Sequence, residues 1–290
     1  MTSARELYLY KRPVGYIPRV AAVHDLCGYG TCSLGVAIPV LSAGGCDVCA
    51  VPTSLFSATT YFPYFYVHDT TPILPAYLDA WQREGVVLDA IYSGFLGSAD
   101  QVAIIQRLYR DYPTALRVVD PVMGDGGKKY PTYTDEMCEA TKGLVKGADL
   151  LLPNLTEASI LTGVPYGGQD VSPEFVHRTA DALLEMGART VVLKGITRGD
   201  GLIRNFVVGR EVEGEEISSE VLPYALGGTG DLYASSLLAA VMAGRSLHEA
   251  VRLAGKFVVD AMRITSQQPD FQARGVCFQS ILGEVTDLMR

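Results

Sequence analysis

Leu226-Gly227-Gly228-Thr229-Gly230-Asp231-Leu232 sets three glycines and a threonine before one carboxylate, and a strongly helical run, Leu232 to Ala243, follows at once. Such a turn leaves several backbone N–H groups free at the positive end of a helix, where they can cradle an anion. Glycine lets the backbone approach that anion closely, since no Cβ intervenes. A carboxylate beside an anion site repels its ligand, so Asp231 has two readings. It is either an ordinary helix cap or a general base that takes a proton from a substrate hydroxyl while the N–H nest holds a phosphoryl group. The rest of the chain has to decide.

Outward from that turn, the pattern is strand then helix, repeated. Buried strands are expected at Val20–Val23, Val48–Val51, Leu88–Tyr92, Leu116–Val119, Leu150–Leu152 and Thr190–Leu193. Helical stretches separate them at about 33–43, 73–84, 99–112, 136–146 and 173–186. This order predicts an α/β fold with a mostly parallel central sheet and helices on both faces. Leu202–Val208 and Val212–Ile217 read as a hairpin around Gly209-Arg210, and Ser218–Leu226 reads as a possible flap over the site. No repeat or linker interrupts the chain, so one domain over residues 1–290 is expected, with 1–19 as an N-terminal extension.

With 290 residues, 48% apolar and 19% charged, the chain is globular rather than disordered. It lacks the run of about 20 apolar residues that a membrane span needs. The stretch Met1–Arg19 lacks the apolar centre of a secretory signal, which gives a cytoplasmic expectation. The net charge of −8 argues against a nucleic-acid partner. The six cysteines, spread over a chain this long, do not read as a disulfide framework. Cys46-Asp47-Val48-Cys49 has zinc-knuckle spacing but no second half, so buried thiols are the better reading.

Several strand ends carry chemistry. His24-Asp25 follows the first strand, at the end where open α/β sheets bind ligands, and Gly28-Tyr29-Gly30 is an incomplete dinucleotide fingerprint. Asp120-Pro121-Val122-Met123-Gly124-Asp125 places two carboxylates across a turn, which suits a nucleotide-bound Mg²⁺. Asn154 and Glu157 either form a capping box or sit behind a metal. Lys194 is a candidate phosphate contact or a plain exposed lysine.

Val119-Asp120-Pro121-Val122-Met123-Gly124-Asp125, Pro153-Asn154-Leu155-Thr156-Glu157 and Gly228-Thr229-Gly230-Asp231, in this order, resemble the motifs of the ribokinase-like superfamily. Within it, the chain is most similar to the vitamin B6 (pyridoxal/pyridoxamine) kinases. The resemblance implies a ribokinase-like three-layer sandwich, ATP with Mg²⁺, a small-molecule acceptor and a homodimer. It makes Asp231 the base for the substrate hydroxymethyl group, and Gly228, Thr229 and Gly230 the anion hole. Asp120, Asn154, Glu157 and Lys194 fall at ATP-binding positions, with Asp120, Asp125 and Glu157 as the metal set. His24, Asp25, Thr60, Tyr61 and Phe95 fall on the acceptor side.

Two departures bear on the acceptor. Ser57-Ala58-Thr59-Thr60-Tyr61 stands where B6 kinases commonly carry a Ser-Asn-His-Thr-Gly-like stretch, and Asp25 is reminiscent of hydroxymethylpyrimidine kinases. A hydroxymethylpyrimidine kinase and a non-catalytic B6-binding protein are therefore the alternatives to a B6 kinase.

Overall fold

The computed structural model describes residues 6–210 and 212–288. Its first half runs β1 (Arg19–Cys27), α1 (Leu34–Ala43), β2 (Asp47–Phe56), β3 (Val67–Asp69), α2 (Leu74–Arg83), β4 (Ala90–Ser93), α3 (Ala99–Asp111) and β5 (Leu116–Val119). A small hairpin, β6 (Gly124–Asp125) and β7 (Lys128–Lys129), precedes α4 (Asp135–Val145), β8 (Leu150–Leu151), α5 (Leu155–Thr162) and α6 (Pro173–Glu185). Then come β9 (Thr190–Thr197), β10 (Leu202–Gly209), β11 (Val212–Glu220), α7 (Thr229–Met242), α8 (Leu247–Thr265), α9 (Phe271–Arg274) and α10 (Leu282–Asp287).

Nine strands form one sheet in the order β11-β10-β9-β8-β5-β4-β1-β2-β3. The six central strands are parallel, with Val20 paired to Val48 on one side and Ala90 on the other. The antiparallel β3 closes one edge, and β10 with β11 closes the other. Both faces of β1 are covered: Val20 and Ala22 enter one core, Ala21 and Val23 the other, all fully buried. That explains why the strand reads as an unbroken apolar run instead of alternating. Helices α2–α6 cover one face, and α1, α7, α8 and α10 the other. The ribokinase-like three-layer arrangement expected from the sequence is present. Among the described residues, no helix is long and apolar enough to cross a membrane.

The strand order departs from chain order around β1, with β2 on one flank and β4 on the other. Crevices at the carboxyl ends of such strands are where open α/β sheets bind ligands. Asp25, Asp120, Asn154 and Lys194 all lie at those ends, on β1, just after β5, just after β8, and late in β9.

Three details differ from the sequence reading. Strand β9 continues to Thr197, so Lys194 is inside it, because β10 pairs with β9 well past Leu193. Helix α7 starts at Thr229 rather than Leu232, since Gly228 caps it. Ser218–Glu220 belong to β11, and the Tyr224 hydroxyl further along donates to the Met262 carbonyl at 3.2 Å. The reading of Cys46 and Cys49 as packed thiols holds: Cys46 is buried in one core and Cys49 packs against the other.

The β4 end shows how tightly the sheet is packed. A Cβ on Gly94 would lie 2.1 Å from His24 Nδ1, and the His24 ring sits edge-on to Tyr92 at 4.3 Å. Gly94→Ala should therefore destabilise the fold by about 1–3 kcal/mol through overpacking, read as a lower urea midpoint at unchanged slope. A wild-type midpoint would mean that the ring moves aside freely.

Candidate active site

Three chain segments lock together at the start of α7. Gly228 has φ +78°, and a Cβ there would come 2.3 Å from the Thr31 carbonyl oxygen. The Val276 N–H donates to the Gly227 carbonyl, and the Thr31 N–H to the Arg274 carbonyl, each at 2.9 Å. The Thr229 hydroxyl donates to the Leu226 carbonyl at 3.1 Å, holding the turn. The Gly230 side of the loop faces open space. The first-turn N–H groups, which have no carbonyl one turn earlier in the helix, are thus held rigidly beside an accessible volume.

Asp231 is not the cap of this helix. Its Oδ2 accepts from the Ser33 backbone N–H at 2.9 Å, across 198 residues of sequence. Ser33 holds φ +51° and ψ −127°, the only non-glycine at positive φ among the described residues. Backbone strain of this kind clusters where the surrounding structure fixes a function. Burial pushes the Asp231 carboxyl up to about 7, with the Asp120 and Asp25 charges adding and the Ser33 amide and Lys194 opposing.

Behind it lies a buried charged group. Lys194 Nζ donates to Asp120 Oδ1 at 2.8 Å, with the Asp120 side chain 3% exposed. Burial raises the Asp120 carboxyl above its usual range, which the Lys194 charge and hydrogen bond only partly counter. Burial alone would lower Lys194, but Asp120 and Glu157 outweigh it and hold the ammonium above its ordinary range.

Asn154 and Glu157 form a complete capping box: Asn154 Oδ1 accepts from the Glu157 N–H at 2.9 Å, and Glu157 Oε2 from the Asn154 N–H at 2.7 Å. Glu157 also accepts from the Met123 N–H at 3.3 Å, and burial pushes it up to about 8. Both ends of the Asn154 amide are engaged, Oδ1 in the cap and Nδ2 donating to the Gly124 carbonyl at 2.9 Å, which ties α5 to the β6–β7 hairpin.

Asp125 is exposed at the tip of that hairpin, its Oδ1 accepting from the Gly126 N–H at 2.7 Å. Asp120 and Glu157 are hard oxygen donors with one lysine between them, and both carboxyls are pushed upward. Both are oxygen ligands of the kind Mg²⁺ takes, and a bound cation would favour their ionised forms against the burial that raises them.

On the acceptor side the residues divide. Tyr61 is exposed but lies over Gly227, where a Cβ would sit 2.4 Å from its ring. Burial raises its hydroxyl, as do the charges of Asp125 and Asp231, which puts it at the mouth of the site. Thr60 beside it is exposed. Phe95 is half-buried between Phe56 and Tyr133, at 6.0 and 6.1 Å. Asp25 is buried and accepts from Cys27 Sγ at 3.3 Å. His24 is 1% exposed with both ring nitrogens unpartnered, and burial lowers it to about 3, so it is a neutral ring inside the packing. Ser33 is the residue that sequence reasoning missed, for nothing in Cys32-Ser33-Leu34 signals a positive φ.

A family model for phosphomethylpyrimidine kinase matches residues 38–274. A pyridoxine/pyridoxal/pyridoxamine kinase of Bordetella avium is 33% identical over 259 residues, 85% of each chain. A Bacteroides thetaiotaomicron protein assigned as a phosphomethylpyrimidine kinase and crystallised with pyridoxal superposes with a TM-score of 0.88 at 32% identity, over 93% of this chain and 96% of its own. The pyridoxal kinase of Lactobacillus plantarum superposes with a TM-score of 0.86 at 28% identity, over 94% and 98%.

The Asp120–Lys194 pair can be tested without any ligand. Lys194→Met leaves a buried carboxylate without its partner and should cost about 3–5 kcal/mol of stability. Adding Asp120→Asn to it should restore much of that loss in a double-mutant cycle. Additive losses in urea melts would show that the two groups do not depend on each other.

Proposed function

Because this chain belongs to the family of phosphomethylpyrimidine and pyridoxine/pyridoxal/pyridoxamine kinases, with a ribokinase-like fold, we propose that it phosphorylates the 5′-hydroxymethyl group of a vitamin B6 vitamer. It is an ATP-dependent kinase, and ATP is the phosphoryl donor. The observation that carries the reading is Asp231. A carboxyl pushed up to about 7 stands in the first turn of α7, directly after the Gly-Thr-Gly turn and held by the Ser33 N–H.

A general base works best when its pKa lies near the working pH. In the proposed reaction, Asp231 takes the hydroxyl proton as that oxygen forms its bond to the γ-phosphorus. The bond from the γ-phosphorus to the bridging oxygen breaks, leaving ADP and the 5′-phosphate. The N–H groups of Gly228, Thr229 and Gly230 face the equatorial oxygens, and preorganised donors of this kind stabilise charge without reorganising during the reaction. Lys194 supplies a positive charge on the phosphate side, held in place by Asp120. Asp120 and Glu157 would serve Mg²⁺, which when bound neutralises phosphate charge; Asp125, expected in the same set, stands exposed on the hairpin and the three carboxylates do not converge on one point.

Hydroxymethylpyrimidine is the second acceptor to consider. The matching family model is described as phosphomethylpyrimidine kinase, which keeps a pyrimidine acceptor in view, and Asp25 stands at the end of β1 on the acceptor side. Tyr61 over Gly227 offers a flat face to either ring.

Asp231→Asn should lower kcat by ~10²-fold or more, and unchanged turnover would remove Asp231 from the mechanism. Because the base must be deprotonated, kcat/KM should rise with pH up to about 7 and level off above it. A profile flat from pH 5 to 8 would contradict this. Paired competition between pyridoxal, pyridoxamine, pyridoxine and hydroxymethylpyrimidine with ATP and Mg²⁺ identifies the acceptor, and preference for the pyrimidine would overturn the vitamin B6 reading.

A further inference from the structure

A second set of ligand atoms stands next to Asp231. Asp25 Oδ, Cys27 Sγ and Cys32 Sγ all lie within 4.8 Å of one another, Asp25 buried and both thiols partly accessible. Asp25 Oδ2 and Cys27 Sγ are already 3.3 Å apart, and Cys32 Sγ lies within 4.8 Å of both. Donors bound at about 2.0–2.3 Å around a tetrahedral zinc ion stand roughly 3.3–3.8 Å from each other. Rotamer-scale adjustment is enough to close the set. Among the described residues, no Lys, Arg or His forms an ion pair with Asp25, so its buried carboxyl has no cation.

The spacing comes from the fold. Asp25 and Cys27 alternate along the end of β1, so they share a face. The loop after them returns because the Gly28 N–H donates to the Phe56 carbonyl at 2.8 Å and the Thr31 N–H to the Arg274 carbonyl at 2.9 Å. Cys32 is thereby brought back onto the strand end, one residue before the strained Ser33.

We propose that Asp25, Cys27 and Cys32 bind a thiophilic divalent cation of the zinc class, with the fourth position open to water, and that occupancy inhibits phosphoryl transfer. Three protein ligands and one open position is a recurrent zinc arrangement. Both thiols bind as thiolates, so their protons pass to solvent on binding. Loss of two thiol protons cancels the charge of the ion, so inhibition comes from fixing the 28–33 loop, which ends at the Ser33 N–H that holds Asp231. The inhibitory part rests on Asp231 being the base; the site itself does not.

The first readout is spectroscopic and independent of turnover. Co²⁺ added to the metal-free protein without nucleotide should give tetrahedral d–d bands and a thiolate-to-cobalt charge-transfer band, saturating at one ion per chain. The bands should disappear in Cys27→Ser/Cys32→Ser and persist in Cys49→Ser/Cys277→Ser. In the wild-type chain, Zn²⁺ should protect Cys27 and Cys32 from alkylation, read by mass spectrometry, which covers the case of a misfolded double variant. Protein loaded with one equivalent of Zn²⁺, desalted and assayed in excess Mg²⁺ and ATP should lose at least tenfold in rate and regain it with a chelator. Absence of the bands, or bands that survive in the Cys27/Cys32 variant, overturns the site. Bands with an unchanged rate overturn the inhibitory role.

Discussion

One ammonium group has to serve several buried carboxylates. Lys194 hydrogen-bonds Asp120, and its charge also bears on Glu157 and Asp231. Asp120, Glu157, Asp231 and Asp25 are all held above the ordinary carboxylate range, each chiefly by burial. A low-dielectric site with surplus negative charge must take up protons or cations. A nucleotide that arrives with its metal brings cations, and an acceptor hydroxyl offers a proton. The resting site is thus short of the two things its proposed substrates deliver.

Such a site is stable only if its groups cannot relax away from one another. Helix α7 provides that rigidity, for every residue from Leu232 to Met242 is buried. Its amino end is fixed by backbone packing rather than by a side-chain cap: the Thr31 carbonyl fills the place of a Gly228 side chain, and the Val276 amide holds Gly227. Other helices in the chain, such as α3, α4, α6 and α8, take a serine or threonine cap. A side-chain cap on α7 would occupy the N–H groups that a phosphate needs. Leaving the cap to glycine keeps those donors available.

Much of the fold was legible because its signals are local and periodic. The apolar runs at Val20–Val23 and Leu150–Leu152 mark strands covered on both faces. Gly228-Thr229-Gly230-Asp231 was legible for the same reason, since glycine before a helix has a local meaning. Ser33 was not: its positive φ is imposed by the β1–α1 loop closing against Arg274 and Asp231, contacts made across most of the chain. The β6–β7 hairpin escaped notice because two-residue strands leave no periodicity to read. Asn154 and Glu157 read equally well as a cap and as a metal-side pair, and the geometry shows the cap. The capping box uses the Asn154 amide oxygen and one Glu157 oxygen, while the other Glu157 oxygen accepts from Met123.

A carboxylate at an anion site looked like a contradiction, and the energetics resolve it. With its carboxyl pushed up to about 7 by burial, Asp231 carries its charge less readily than an exposed carboxylate, so it repels an incoming phosphate less. An approaching phosphate oxygen adds negative charge nearby, which raises the proton affinity of Asp231 further. The carboxylate therefore becomes a stronger proton acceptor as the γ-phosphate comes into line with the acceptor hydroxyl. The Ser33 N–H limits this drift by favouring the ionised form through one oriented hydrogen bond. On the proposed mechanism, strain at Ser33 is then the cost of keeping Asp231 neutral enough to admit phosphate and ionised enough to accept a proton.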